Sequence, residues 1–410
     1  MNKIFKSAHF AITNSRAMAH SMHVTFLGTA SGGGPSDTRN CSSLVADIGR
    51  GSLWMFDCAE GTLRQFSCQP YSNQPRLSVN NISKMFITHM HADHIMGIVP
   101  ILRNMLYPPR PGDLSQGRPP KIEIYGPAGI RTFVRSILQM TYTKTSDRYV
   151  VHELLQPNDT ITPCGDSDLH SSEVLGRDIL CSPEDGFWRG FTSGNGPFGE
   201  VFVDAGPIIH REECIGYAIR ESVSPHRKIV ILGDTSNPSA ITPLCLSPSL
   251  LIHEATDTHI PHHVSTSLSK RSPETVLEKT LDKGHSTPAM AGAFAKAIGA
   301  ERLILNHIGG RFPAPKGPRD AQRNAVVEEI ERQATEAWGS GRRATAASDY
   351  MHVAIPAAQP EFSSASYTPQ GSSWEHEGHG SKKRVNSGGS DHAHGHSNSS
   401  KSNHWKRRRD

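Results

Sequence analysis

The chain has 410 residues, 36% of them hydrophobic, and carries 43 Lys and Arg against 39 Asp and Glu, a formal charge of +4. Eight of those cations (Lys382, Lys383, Arg384, Lys401, Lys406, Arg407, Arg408 and Arg409) crowd into residues 381–410 against Asp391 and Asp410. The remainder is near neutral, and bulk charge gives no argument for a nucleic-acid partner. No apolar run reaches the length of a membrane span, so no membrane association is expected. Seven scattered cysteines without a C-x-x-C pair exclude a disulfide framework and suit a reducing compartment.

Residues 1–21 form a basic leader. Lys3, Lys6 and Arg16 occur with no acid before Asp37, among Ile4, Phe5, Phe10 and Ile12. That composition suits a mitochondrial presequence, or a disordered leader bypassed by initiation at Met18 or Met22. Folded sequence begins at Met22–Leu27, a strand that runs into the turn-rich Gly28-Thr29-Ala30-Ser31-Gly32-Gly33-Gly34-Pro35. Ser43–Ile48 and Leu53–Phe56 read as a hairpin around Gly49-Arg50-Gly51. Asp57 ends the second strand, followed by Cys58-Ala59-Glu60-Gly61 and a short helix to Phe66.

The apolar run Lys84-Met85-Phe86-Ile87 then leads into Thr88-His89-Met90-His91-Ala92-Asp93-His94. Three imidazoles and a carboxylate this close cannot all be buried cheaply without a compensating charge, which a divalent metal supplies. In an extended segment His89 and His91 point the same way and can grip one ion, while Asp93 and His94 can face a second. The bland alternative is a His-rich loop or a helix start capped by Asp93. Ile95, Ile98, Val99, Leu102, Met105 and Leu106 follow at helical spacing and read as core.

Ile122–Pro127 is a further strand and turn, with a helix over roughly 128–140. Residues 163–200, rich in Gly, Ser, Pro and Asp and without periodicity, read as an irregular insert or long surface loop. Three strands then repeat one design. Lys228–Leu232 ends in Gly233-Asp234-Thr235, Leu250–Ile252 in His253-Glu254-Ala255-Thr256, and Arg302–Leu305 in Asn306-His307; Ser286–Ile298 between the last two looks helical. Each delivers an ionisable residue at a strand's carboxyl end, where layered α/β folds build their sites. The main folded domain is expected to span 22–356. Residues 357–410, dominated by Ser, Gly and His, are expected to be a disordered basic tail. Its clusters Lys382–Arg384 and Lys406–Arg409 read as nuclear-import or RNA-contacting patches. The two ends thus point to different compartments, mitochondrion or nucleus and cytosol.

The chemistry these residues suggest is two-metal hydrolysis, in which paired zinc ions lower the pKa of a shared water and neutralise transition-state oxygens. Asp234 is the best placed bridging carboxylate, His210 and His307 the best placed additional nitrogen ligands, and Asp57 a candidate to orient an imidazole.

On these residues the chain resembles the metallo-β-lactamase superfamily and, within it, the ribonuclease Z family of 3′-tRNA processing endonucleases. The resemblance runs over roughly residues 22–315. It rests on Gly28-Thr29 with Pro35 and Arg39-Asn40, Phe56–Gly61, His89–His94, Tyr125-Gly126-Pro127, His210 with Gly216-Tyr217, and Gly233-Asp234-Thr235. His253-Glu254-Ala255-Thr256, His285-Ser286-Thr287 and Asn306-His307 with Arg311 complete it. It implies an αββα sandwich and two zinc ions, one on His89, His91 and His210 and the other on Asp93, His94 and His307, bridged by Asp234. It also implies that Asp93 handles the proton of the attacking water. His253, Glu254 and His285 would contact the scissile phosphate and protonate the leaving 3′ oxygen. Precursor tRNA is the implied partner, and a homodimer the implied assembly. Another phosphodiesterase of the same superfamily, acting on a small or cyclic nucleotide, would share every ligand. Three stretches depart from the pattern: the segment His259–Lys283 looks expanded and is rich in Ser and basic residues, the run Asn306–Phe312 is looser than usual, and the interval after His210 is short. Only 23 residues separate His210 from Asp234, where short-form enzymes of the family carry a tRNA-gripping arm. Either the insert at 163–200 grips tRNA, the grip differs, or the substrate is not tRNA.

Overall fold

Strands with unbroken apolar runs must be covered on both faces, and alternate residues of Lys228–Leu232 go to opposite layers. Ile229 and Ile231 join one buried cluster, Val230 and Leu232 another. The computed structural model describes residues 21–49, 51–71, 76–107 and 119–357. All lie in the first of two units, Met1–Gln359. The expectations for the basic leader, 1–21, and the tail, 357–410, fall outside the described residues except at Ser21 and Ala357.

In chain order the strands are β1 (Met22–Gly28), β2 (Ala30–Ser31), β3 (Ser43–Asp47), β4 (Leu53–Phe56), β5 (Ile82–Phe86), β6 (Ile122–Gly126), β7 (Tyr149–Leu155), β8 (Glu173–Val174) and β9 (Asp178–Leu180). They continue with β10 (Trp188–Asn195), β11 (Glu200–Ile208), β12 (Cys214–Glu221), β13 (Lys228–Leu232), β14 (Leu250–Glu254), β15 (Leu303–Asn306), β16 (Ile308–Gly309), β17 (Thr345–Ala346) and β18 (His352–Ile355). One sheet runs β18-β1-β3-β4-β5-β6-β7, with β8 and β9 along the outer edge of β7; the other runs β10-β11-β12-β13-β14-β15-β17. Each is antiparallel on one side and parallel on the other, changing at β4–β5 in the first and at β13–β14 in the second.

The two sheets face each other across Phe26, Trp54, Phe56, Phe86, Tyr217, Ile219, Ile229 and Ile252. The outer face of the first sheet is covered by helices Ile98–Leu106 and Ile130–Met140, and that of the second by Pro288–Ala297 and Ala321–Trp338. The result is the expected αββα arrangement. Each fully buried Leu, Ile or Phe in these layers contributes about 1.5–3 kcal/mol of hydrophobic transfer.

The irregular reading of 163–200 needs correction. This stretch contains β8, β9 and β10, and β10 forms the edge of the second sheet by pairing with β11 from Trp188↔Ala205 to Asn195↔Glu200. Its sequence, WRGFTSGN, has no usable period. What holds it is hairpin pairing and the anchoring of Trp188 and Phe191 in the intersheet core. Similarly, the Ser-rich, basic stretch 259–283 ends in a regular helix, Pro273–Asp282, whose first turn is capped by the Ser272 hydroxyl accepting from Thr275 N–H.

Candidate metal centre

The loops at the carboxyl ends of the parallel strands meet in one place. After β4 the chain turns at Asp57, which takes φ 54°, a left-handed conformation that Asp tolerates better than most residues. Its carboxylate accepts from Thr88 N–H at 2.8 Å, from the Thr88 hydroxyl at 3.0 Å and from His94 Nδ1 at 2.7 Å. Past β5, His91 precedes the one-turn helix Ala92–Ile95, which folds Asp93 and His94 back towards His89. His210 arrives from the end of β11, Asp234 from β13 and His307 from β15.

His89, His91, Asp93, His94, His210, Asp234 and His307 converge. His91 Nδ1 lies 2.8 Å from His89 Nε2 and 3.3 Å from His210 Nε2. Asp234 Oδ2 is 3.7 Å from His89 Nε2 and 3.5 Å from His94 Nε2, and its Oδ1 is 3.3 Å from His307 Nδ1. His307 Nε2 is 3.3 Å from both His94 Nε2 and Asp93 Oδ2. Two donor sets result, each with its ligand atoms within 4.8 Å of one another: His89, His91, His210 and Asp234; and Asp93, His94 and His307. A third set joins Asp234, His285 and His307.

The outward hydrogen bonds show why a cation fits. His94 gives its Nδ1 proton to Asp57, His210 gives its own to the Gly284 carbonyl at 2.7 Å, and His89 Nδ1 is 3.0 Å from the Thr88 hydroxyl, which itself donates to Asp57. With these protons committed outward, the Nε2 lone pairs of three imidazoles turn inward, a donor set of N and O atoms suited to zinc. Neutral rings packed with lone pairs face to face repel unless a positive charge sits between them. The carboxylates demand the same thing. Burial opposes ionisation of Asp234, yet His307, His94 and His89 hold its carboxyl well below the usual range. Burial likewise opposes charge on His94, yet Asp234 and Asp57 on its two sides raise its pKa, so positive charge is favoured there as a proton or a metal ion.

Asp57 stands where an orienting carboxylate was expected. Less legible were Gly32, whose N–H donates to Asp93 Oδ2 at 2.7 Å, and Gly284. The glycine-rich run 32–34 was the only available signal for the first. Gly284 has φ 73°, and a Cβ there would lie 2.7 Å from His210 Nδ1, so only glycine brings this carbonyl against the imidazole.

The motif His253–Thr256 separates into two roles. Glu254 accepts from Thr235 N–H at 2.7 Å and the Thr256 hydroxyl at 2.6 Å, and pairs with His285 Nδ1 at 3.1 Å. His285 in turn has its pKa raised: burial acts against it, but Glu254 and Asp234 outweigh that. His253 does not join them, which corrects the expected phosphate contact. The strand continues through Glu254, so by alternation His253 turns to the opposite face. It is wholly buried there, bonds the Glu254 carbonyl through Nδ1 and packs 5.9 Å from the Phe294 ring.

Comparison with known proteins places the chain. Residues 54–308 match the beta-lactamase superfamily domain. Zinc phosphodiesterase ELAC protein 1 of Bos taurus is 30% identical over 82% of this chain and 99% of its own length. Ribonuclease Z of Streptococcus sanguinis is 32% identical over 75% of this chain and 96% of its own. The chain belongs to the ribonuclease Z family. In three dimensions it is similar to the crystal structure of human tRNase Z, short form, with a TM-score of 0.57 at 31% identity over 82% of this chain and 99% of that one. Between His210 and Asp234, β12 passes to β13 through Ser222–Arg227 alone, closed by the buried Glu221–Arg227 ion pair at 2.6 Å.

Proposed function

We propose that this chain is a zinc-dependent endoribonuclease that removes 3′ trailers from precursor tRNA. The observation that carries the reading is the convergence of His89, His91, Asp93, His94, His210, Asp234 and His307, from separate stretches of the chain, into two adjoining donor sets, in a chain of the ribonuclease Z family. His89, His91 and His210 would hold one zinc and Asp93, His94 and His307 the other, with Asp234 between them. When bound, such a pair supplies Lewis-acid stabilisation of phosphate oxygens and a water acidified towards a pKa of about 7.

The chain's own groups do the rest. Asp93, held in place by Gly32 N–H, accepts the proton of the attacking water. His285, paired through Nδ1 with Glu254, has its other nitrogen available to protonate the leaving 3′ oxygen. Glu254 keeps that imidazole in the required tautomer and supports its cationic form. The products are a tRNA 3′-hydroxyl and a trailer 5′-phosphate, since water attacks phosphorus and no ribose 2′-hydroxyl is needed. Assembly as a homodimer belongs to the same reading and is tested by light scattering. Among the described residues no helix is long and apolar enough to cross a membrane.

The experiment is incubation of a labelled, 3′-extended precursor tRNA with the wild type and with Asp93→Ala. Cleavage after the discriminator nucleotide, lost in the variant, is expected. Hydrolysis of bis-p-nitrophenyl phosphate without any cleavage of the precursor would refute it in favour of a phosphodiesterase of small nucleotides, a reading that the six-residue Ser222–Arg227 connection favours.

A further inference from the structure

Beside the metal centre lies a cavity of about 640 Å³. One wall is the bare backbone of Gly32, Gly33 and Gly34, where an added Cβ would meet nothing within 4 Å. Arg211, Lys279, Thr280, Lys283 and His285 also line the cavity, together with Arg271, Arg311 and Asp257. Including the buried Arg39, six cationic side chains line the space against one carboxylate, and that carboxylate is taken: Asp257 pairs with Arg271 at 2.8 Å and with Arg311 at 2.7 Å.

Three of the other lining cations are not so engaged. Among the described residues, Arg211, Lys279 and Lys283 have no acidic partner within ion-pair distance, and all three are exposed. Lys279 and Lys283, four residues apart, share one face at the end of helix Pro273–Asp282, while Glu278 and Asp282 on the neighbouring face do not line the cavity. Gly284, immediately after, ties this helix end to His210. The lysines therefore stand at a set distance from the metal centre rather than on a free loop.

The geometry points to Arg211, Lys279 and Lys283 as the phosphate-gripping wall for the RNA strand, in place of the arm that this chain lacks between His210 and Asp234. The inference rests on the precursor-tRNA reading. It also has a direction. His285 borders this cavity, and as donor to the leaving 3′ oxygen it marks the leaving-group side, opposite the entering water. The strand on that side ends in the discriminator, so the wall holds the acceptor end of the tRNA and not the trailer. Lysines neutralising backbone phosphates give affinity that is independent of sequence and steep in salt.

The test compares wild type with Lys279→Ala/Lys283→Ala on a precursor tRNA, on the same tRNA with a one-nucleotide trailer, and on bis-p-nitrophenyl phosphate. Expected are a rise of about ten-fold in KM for both RNAs and a salt dependence of log(kcat/KM) shallower by about 2. Hydrolysis of the small diester and the melting temperature should match wild type. If both RNAs are cleaved with wild-type KM and salt slope, the inference is wrong while the ribonuclease reading stands. If the defect disappears with the short trailer, the wall faces the trailer and the assignment is overturned. If wild type hydrolyses only the small diester, the ribonuclease reading itself fails and takes the inference with it.

Discussion

Replacing Asp57 with Asn changes one oxygen to an amide and almost nothing in volume, which isolates its hydrogen bonding. Asp57 is buried and serves three donors: Thr88 N–H, the Thr88 hydroxyl and His94 Nδ1. An asparagine cannot accept all three. If its amide nitrogen faces His94, it donates to Nδ1, the His94 proton moves to Nε2, and the lone pair aimed at the donor set is lost. If it faces Thr88 N–H instead, two buried donors oppose each other at a cost of about 1–3 kcal/mol. Loss of such an orienting partner lowers metal affinity or activity by about 10–100-fold, equivalent to about 1.4–2.7 kcal/mol. The assay is zinc content by mass spectrometry after dialysis, together with precursor cleavage and thermal melting by circular dichroism. Asp57→Asn is expected to lose zinc and activity while staying folded at 25 °C. Full zinc retention at wild-type rate would refute the argument that Asp57 sets the His94 tautomer.

Four further outcomes are expected. Gly284→Ala forces a methyl group to within 2.7 Å of His210 Nδ1 and should reduce zinc content; a variant that binds zinc normally would show that the carbonyl contact is dispensable. His253→Leu removes one buried hydrogen bond on the helix side of β14 and should cost about 1–3 kcal/mol in urea titrations with kcat near wild type, whereas Glu254→Gln should lower kcat. Adding zinc to chelator-treated protein should raise the melting temperature in a concentration-dependent way, by about 2.7 kcal/mol of stability at 100 times the Kd; an unchanged melting curve would argue against a metal in this site. Finally, His23 and His352 stack at 4.8 Å between β1 and β18. Burial lowers both pKa values below 6.5, with Arg227 adding at His23 and His23 adding at His352, while Asp47 opposes at both. The unfolded chain then binds more protons, so stability should fall as pH drops through the unfolded value of about 6.5. His23→Phe should flatten that dependence in melts between pH 7.5 and 5.

Much of this protein was legible because its chemistry is local. His89, His91, Asp93 and His94 lie within six residues of one another shortly after β5, so their spacing alone announces a metal. The apolar runs Lys228–Leu232 and Leu250–Ile252 announce strands buried on both faces. The ionisable residue at each carboxyl end follows from how parallel sheets present their loops. What spacing cannot convey is which face a side chain takes once a strand lengthens by two residues. The single continuation of β14 through Glu254 turns His253 into the helix layer and leaves Glu254 facing His285. Nor can it convey closures between distant segments. The Gly284 carbonyl reaches His210 across 74 positions of chain, Gly32 N–H reaches Asp93 across 61, and the cavity brings Gly32–Gly34 together with Arg211, Lys279 and Lys283 from far along the chain. A local pattern records what each segment offers. Only the folded sheets, by fixing register and distance, decide which offers meet.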